Sequence, residues 1–235
     1  MSIEQRVIPL TDDFMKNKKT HDKVWSFLQT NSYITKDKER FVYITQDTNA
    51  RSIQNKIKTI IEKEKEGEII YKDSISVETV RNTLKLYEKI GFIKKAKIED
   101  NYNRNVDCYI LKQDFSCFQF IPLETLKFLV NTATENVIKI YAYLINKYYY
   151  KQSLKEYYNF TLKELCEAIG YNGEKQENKN MIKDILLSLK NNGLINYTNG
   201  YYYTDKHPVP IYNLTYVSLK VKDKIWFTIY DTLYD

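Results

Sequence analysis

VWSFLQTNSYITKDKERFVYIT, residues 24–45, lies without gaps over IYAYLINKYYYKQSLKEYYNFT, residues 140–161, at an offset of 116. Aromatic or aliphatic residues coincide at Val24/Ile140, Trp25/Tyr141, Phe27/Tyr143, Leu28/Leu144, Tyr33/Tyr149, Phe41/Tyr157 and Ile44/Phe160. Upstream, Ile8-Pro9-Leu10 matches Ile121-Pro122-Leu123 at an offset of 113. Downstream, VRNTLKLYEKIGFI from Val80 matches IKDILLSLKNNGLI from Ile182 at 102, which aligns Gly91 with Gly193. Three matches in one chain order mark an internal duplication, and a repeat organises a chain before any local pattern does.

Each half then reads the same way. Pro9 or Pro122 fits the first turn of a helix, where its missing N–H costs nothing. In the main helix of the second half, Ile138, Tyr141, Ile145 and Tyr148 or Tyr149 recur at helical spacing. A short apolar strand follows, residues 41–44 or 157–160, and Thr45 or Thr161 caps a second helix. That helix places Leu162, Leu165, Cys166 and Ile169 inward in the second half and stops at Gly170. In the first half it is longer, with Ile53, Ile57, Ile60 and Ile61 inward and Gly67 as its end.

A third helix carries the stripe Val77, Val80, Leu84 and Tyr87 after a Ser76 cap, and its counterpart the stripe Ile182, Ile185, Leu186 and Leu189. Each stops at its aligned glycine. Two strands follow, residues 92–98 with 106–111, then 194–198 with 201–204 about an Asn199-Gly200 turn. The tail places Ile225, Trp226, Ile229, Tyr230 and Leu233 at helical spacing, as a packing element or a dimer contact.

The order helix, strand, helix, helix, strand, turn, strand, twice over, resembles the winged-helix fold, a helix-turn-helix followed by a β-hairpin wing. The expected class is α+β, mainly α: two tandem winged-helix domains, each a three-helix core with a wing. They would occupy residues 1–114 and 115–235, the second with the C-terminal tail element.

In a helix-turn-helix the second helix of the turn lies in the major groove. In the first module its outward face holds Glu78, Thr79, Arg81, Asn82, Lys85 and Lys89. Arginine bonds guanine bidentately and asparagine does the same with adenine, so Arg81 and Asn82 are the expected base readers. Lys85 and Lys89 suit phosphates. The wing adds Lys94, Lys95, Lys97, Asn103 and Arg104, and residues 74–105 hold seven Lys and Arg against four Asp and Glu. An isolated helix with these charges reads as a solvated face; beside a basic wing it reads as a DNA surface.

The second module offers Lys175, Gln176, Lys179, Asn180 and Lys183, with Asn199 and Tyr201 on its wing. Glu174, Glu177 and Asp184 dilute them, so it is either a second reader or a dimerisation or partner-binding module.

Composition bounds the alternatives. The chain has 235 residues, a net charge of +6, 22 tyrosines, 6 glycines and 4 prolines, and its pI of 8.9 suits a polyanionic partner without demanding one. No run approaches the ~18 apolar residues of a membrane span, and the N-terminus lacks the basic-then-apolar order of a signal peptide. A cytoplasmic protein, nucleoid- or plasmid-associated, is expected. Three cysteines without a CxxC pair and two distant histidines give no metal or disulfide framework. No P-loop, GxSxG or HExxH occurs. Hence no enzyme, catalytic residue, metal, cofactor or small-molecule substrate is expected.

Two such modules in this length resemble the tandem replication initiators of plasmids and phages. That resemblance implies double-stranded, A+T-rich origin DNA as partner, with a homodimer as an additional form. A dimeric transcriptional regulator and a protein-interaction adaptor without DNA contact are the alternatives.

Overall fold

The computed structural model describes residues 4–18, 21–35, 38–45, 48–57, 60–63, 68–71, 75–99, 104–151, 158–203, 208–216, 219–222 and 225–228. Its first half runs β1 (Gln5–Pro9), α1 (Asp12–Met15), α2 (Lys23–Thr30), β2 (Tyr33–Ile34), β3 (Arg40–Tyr43), α3 (Ala50–Ile57), β4 (Ile60–Lys63), β5 (Glu68–Tyr71), α4 (Val77–Lys89), β6 (Ile93–Glu99) and β7 (Asn105–Leu111). Then come β8 (Phe118–Pro122), α5 (Leu123–Thr132), α6 (Glu135–Lys151), β9 (Tyr158–Phe160), α7 (Leu162–Ala168), α8 (Gln176–Asn191), β10 (Ile195–Tyr203), β11 (Pro208–Tyr216), β12 (Leu219–Lys222) and β13 (Ile225–Thr228).

Thirteen strands accompany eight helices among the described residues, so the class is α+β and the expected helical majority is overturned. Two segments account for much of the difference. Ile60 and Ile61 do not continue the helix of Ile53 and Ile57 but stand in β4, which pairs antiparallel with β5. The tail is likewise no helix: Ile225 and Trp226 lie in β13, paired with β12. Ile229, Tyr230, Leu233 and Gly67 lie outside the described residues. Both segments are short apolar runs, which satisfy helical spacing and strand packing equally well. No helix among the described residues is long and apolar enough to cross a membrane.

The chain divides into two compact units, residues 1–11 with 17–135 and residues 12–16 with 136–235. The junction follows Glu135 rather than residue 114, because β8 and α5 are tied to the N-terminal strand. β1 and β8 form an antiparallel ladder in which Arg6 faces Ile121 and Ile8 faces Gln119. Leu123 N–H donates to the Glu4 carbonyl at 2.8 Å. The two Ile-Pro-Leu matches are thus partners within one unit. Pro9 ends a strand and opens no helix; Pro122 stands just before α5 as its cap residue.

In the first unit, α2, α3 and α4 pack on one another, and α4 packs on β6 of the sheet β2-β3-β7-β6. Trp25 is the centre of that core, with edge contacts to Tyr87, Phe92 and Phe115 at centroid distances of 6.0, 5.7 and 5.7 Å. Its indole N–H, which burial obliges to find a partner, donates to the Val7 carbonyl at 2.9 Å. The second unit stacks Phe160 on Tyr212 at 5.4 Å in the sheet β10-β11-β9. Ile182, Ile185, Leu186 and Leu189 of α8 are all buried. Residues 12–16 belong to this second unit. Phe14 and Met15 are buried, and a Cβ on Gly170 would stand only 3.1 Å from the Lys16 Cα.

Candidate nucleic-acid interface

α4 is held at both ends by local chemistry. Ser76 has an extended backbone and its Oγ accepts from the Thr79 N–H at 3.0 Å, which satisfies one of the donors a helix start leaves open. The side-chain cap of α3 comes from Asn49 rather than from Thr45, five residues before the helix: Asn49 Oδ1 accepts from the Ser52 N–H at 2.9 Å. Gln54 of α3 donates from Nε2 to the Ile75 carbonyl at 2.9 Å and ties α3 to the residue before the Ser76 cap, across the intervening β4 and β5.

At the far end Gly91 takes φ +75° and the chain closes a Schellman motif, Phe92 N–H to the Tyr87 carbonyl and Gly91 N–H to the Glu88 carbonyl. The second unit repeats it with Gly193 at φ +65°, Leu194 to Leu189 and Gly193 to Lys190. The same turn therefore launches β6 from α4 and β10 from α8.

The inner face of α4 is bolted to the start of α2. Val80, Thr83 and Tyr87 are buried; Thr83 Oγ1 accepts from the His21 N–H at 3.1 Å and Tyr87 donates to Asp22 Oδ1 at 2.9 Å. Helical phase then leaves Glu78, Arg81, Asn82, Lys85 and Lys89 together on the exposed side. Thr79 is half-buried and bonded to Ser76. Arg81 is engaged with the Glu78 carboxylate one turn before it.

Strand alternation sorts the wing lysines. Lys95 and Lys97 share the face of Ile93, the side packed toward α4, and Lys94 lies on the opposite face with Ala96 and Ile98. Lys95 Nζ meets Glu88 Oε2 at 2.9 Å, joining wing to helix. That hydrogen bond holds the Lys95 ammonium above its usual pKa. Arg104 is exposed just before β7. Asn103 lies outside the described residues.

The second unit presents the same surface with other chemistry. Counting by the offset of 102, Lys183 stands for Arg81, Asp184 for Asn82, Leu187 for Lys85 and Asn191 for Lys89. The helix-to-wing contact is kept but rebuilt: Lys190 Nζ lies 5.1 Å from the Tyr197 ring centroid, where the first unit has Glu88 and Lys95. Lys175 precedes α8 and pairs with Glu177 at 3.6 Å; Gln176 donates to Asn180 Oδ1 at 2.9 Å; Lys179 is half-buried. Leu187 is 51% exposed in the middle of the outward face.

Asn199 and Tyr201 do not flank a turn. Asn199 faces Tyr212, Gly200 faces Ile211 and Tyr201 faces Pro210 in an unbroken ladder of nine pairs. A turn at Asn199-Gly200 would forfeit most of those pairs, and tertiary pairing outweighs the two-residue signal.

The sequence pattern put Glu78 on the outward face without marking it as the partner of Arg81, and it left out Glu88, the partner of Lys95. The i, i+3 spacing of Glu78 and Arg81 was the visible sign of the first. The described residues contain no group of three or more His, Cys, Asp or Glu placed to hold a metal ion. The chain matches no protein-family model, and no curated protein or solved structure is significantly similar to it.

Proposed function

We propose that this chain is a sequence-specific double-stranded DNA-binding protein of winged-helix type, which reads its site with the first unit. One observation carries the reading. The exposed face of α4 gathers Arg81, Asn82, Lys85 and Lys89 with no apolar side chain among them, beside Lys95 and Lys97 on the adjoining side of β6. In this reading α4 enters the major groove, Arg81 and Asn82 bond base edges, and Lys85 and Lys89 neutralise phosphates. The Arg81–Glu78 pair is exposed and worth at most about 1 kcal/mol. A bidentate guanine contact is worth about 1–3 kcal/mol, so DNA displaces the glutamate. Lys94, on the other face of the hairpin, is assigned no contact.

The second unit's equivalent face, with Asp184 and Leu187, is not assigned to base reading. The finer role we propose is initiation of plasmid or phage replication at A+T-rich origin DNA, in the cytoplasm, which rests on the tandem arrangement.

The test is a fluorescence-anisotropy titration of an A+T-rich duplex against the whole chain at several salt concentrations. The log–log slope is expected to be steep, about −0.9 per phosphate neutralised. No measurable binding at low salt would sink the reading.

A further inference from the structure

We propose that β10 is a docking edge that pairs antiparallel with β10 of a second copy of this chain. It goes beyond the DNA reading and does not depend on it.

β10 is the outer strand of its sheet, bonded to β11 on one side and to no strand among the described residues on the other. Open edges are templates for further pairing, and proteins ordinarily blunt them with charge, proline or shortness. β6, the corresponding edge of the first unit, is blunted in this way: IKKAKIE holds Lys94, Lys95, Lys97 and Glu99. β2 and β9, the edges at the other side of these two sheets, are two and three residues long. β10, INYTNGYYY, runs nine residues without a charge or a proline.

The occupant follows from the strand's own symmetry. About a two-fold axis through Asn199, Tyr197 opposes Tyr201 of the second copy, and Ile195 opposes Tyr203. Aromatic–aromatic and aromatic–β-branched pairs are the favourable cross-strand combinations, and Asn199 meets its own equivalent. Tyr201 and Tyr203 are 63% and 82% exposed in the single chain, so pairing gives both a contact they lack. A charged peptide would find no complementary charge on this strand. Leu187, one turn before Lys190 on α8, adds a further apolar group on the side that meets Tyr197.

Sedimentation of the full chain without DNA, over a range of concentrations, tests the pairing. A monomer–dimer equilibrium is expected. Asn199→Lys, which sets like charges opposite each other, should weaken it by about tenfold or more. Circular dichroism checks that the variant folds. Cys117 is an exposed thiol, whereas Cys108 and Cys166 are buried, so in a Cys117→Ser background Asn199→Cys should form a disulfide-linked dimer under mild oxidation. Opposed Cα atoms lie about 4.5–5.5 Å apart, inside the disulfide range of about 4.4–6.8 Å. Tyr203→Cys, far from the axis, should not. A chain that stays monomeric, a dimer indifferent to Asn199→Lys, or equal cross-linking at both positions would each overturn the proposal.

Discussion

The proposed function gives Arg81 and Lys97 different work on the same surface, and single substitutions separate them. Arg81, paired with Glu78 in the free chain, would meet bases, and Lys97 the phosphate backbone. Arg81→Ala is expected to cost about 1–3 kcal/mol on the preferred sequence and to relax preference at one position. Lys97→Ala is expected to weaken all sequences alike and to reduce the salt slope by about 1. Anisotropy titrations on a preferred and a scrambled duplex distinguish the two; identical behaviour would mean that the reader and wing roles are wrongly assigned. These positions were legible in the sequence because helical phase alone decides which side of α4 is buried. The division of Lys94 from Lys95 and Lys97 was legible only once the register of β6 was known, since a one-residue shift exchanges the two faces.

At the scale of elements, α4 and α8 were readable because three signals agree in α4 and two in α8. Ser76, the stripe ending at Tyr87, and Gly91 all mark one helix. α8 has its stripe and Gly193 but no side-chain cap at Lys175. The glycines make a testable point. At Gly91 no atom lies within 4 Å of an added Cβ, so substitution there meets backbone strain alone. Gly91→Ala is expected to lower stability by about 1–2 kcal/mol, the cost of a left-handed backbone for an L-residue. Urea denaturation measures it. Elements supported by one signal were misread. Ile60 and Ile61 fit the spacing of Ile53 and Ile57, and only the ladder between β4 and β5 distinguishes strand from helix there. The Asn199-Gly200 pair is a strong local turn signal, but the segment from Pro208 to Tyr216 offers β10 a longer ladder than that turn allows.

At the scale of the whole molecule, both units bury tyrosines against carboxylates. Burial, then the Asp22 charge and hydrogen bond, push the Tyr87 phenol well above its ordinary 10.0. Burial, then Glu164, raise Tyr143 and Tyr158 in the second unit. A folded pKa above the unfolded value means the native state keeps a proton that the unfolded chain gives up. The stabilisation is therefore complete below the free-tyrosine value of 10.0 and is lost as pH climbs beyond it. Urea midpoints should be level from neutral pH to that value and fall above it. Tyr87→Phe should steepen nothing and flatten the first unit's share of the fall. A midpoint that holds steady in strong alkali would contradict the Tyr87–Asp22 arrangement.

The path of the chain through residues 12–16 has a consequence for synthesis. These five residues are translated before any of residues 136–235, yet they belong to the unit built from that later stretch. Phe14 and Met15 must wait, uncovered, until Gly170 and its neighbours have been translated, while residues on either side of them are already free to fold. The second unit thus closes on a piece of chain made well before the rest of it. A cut anywhere between the two units would deprive one of a plug and leave the other with a greasy loop.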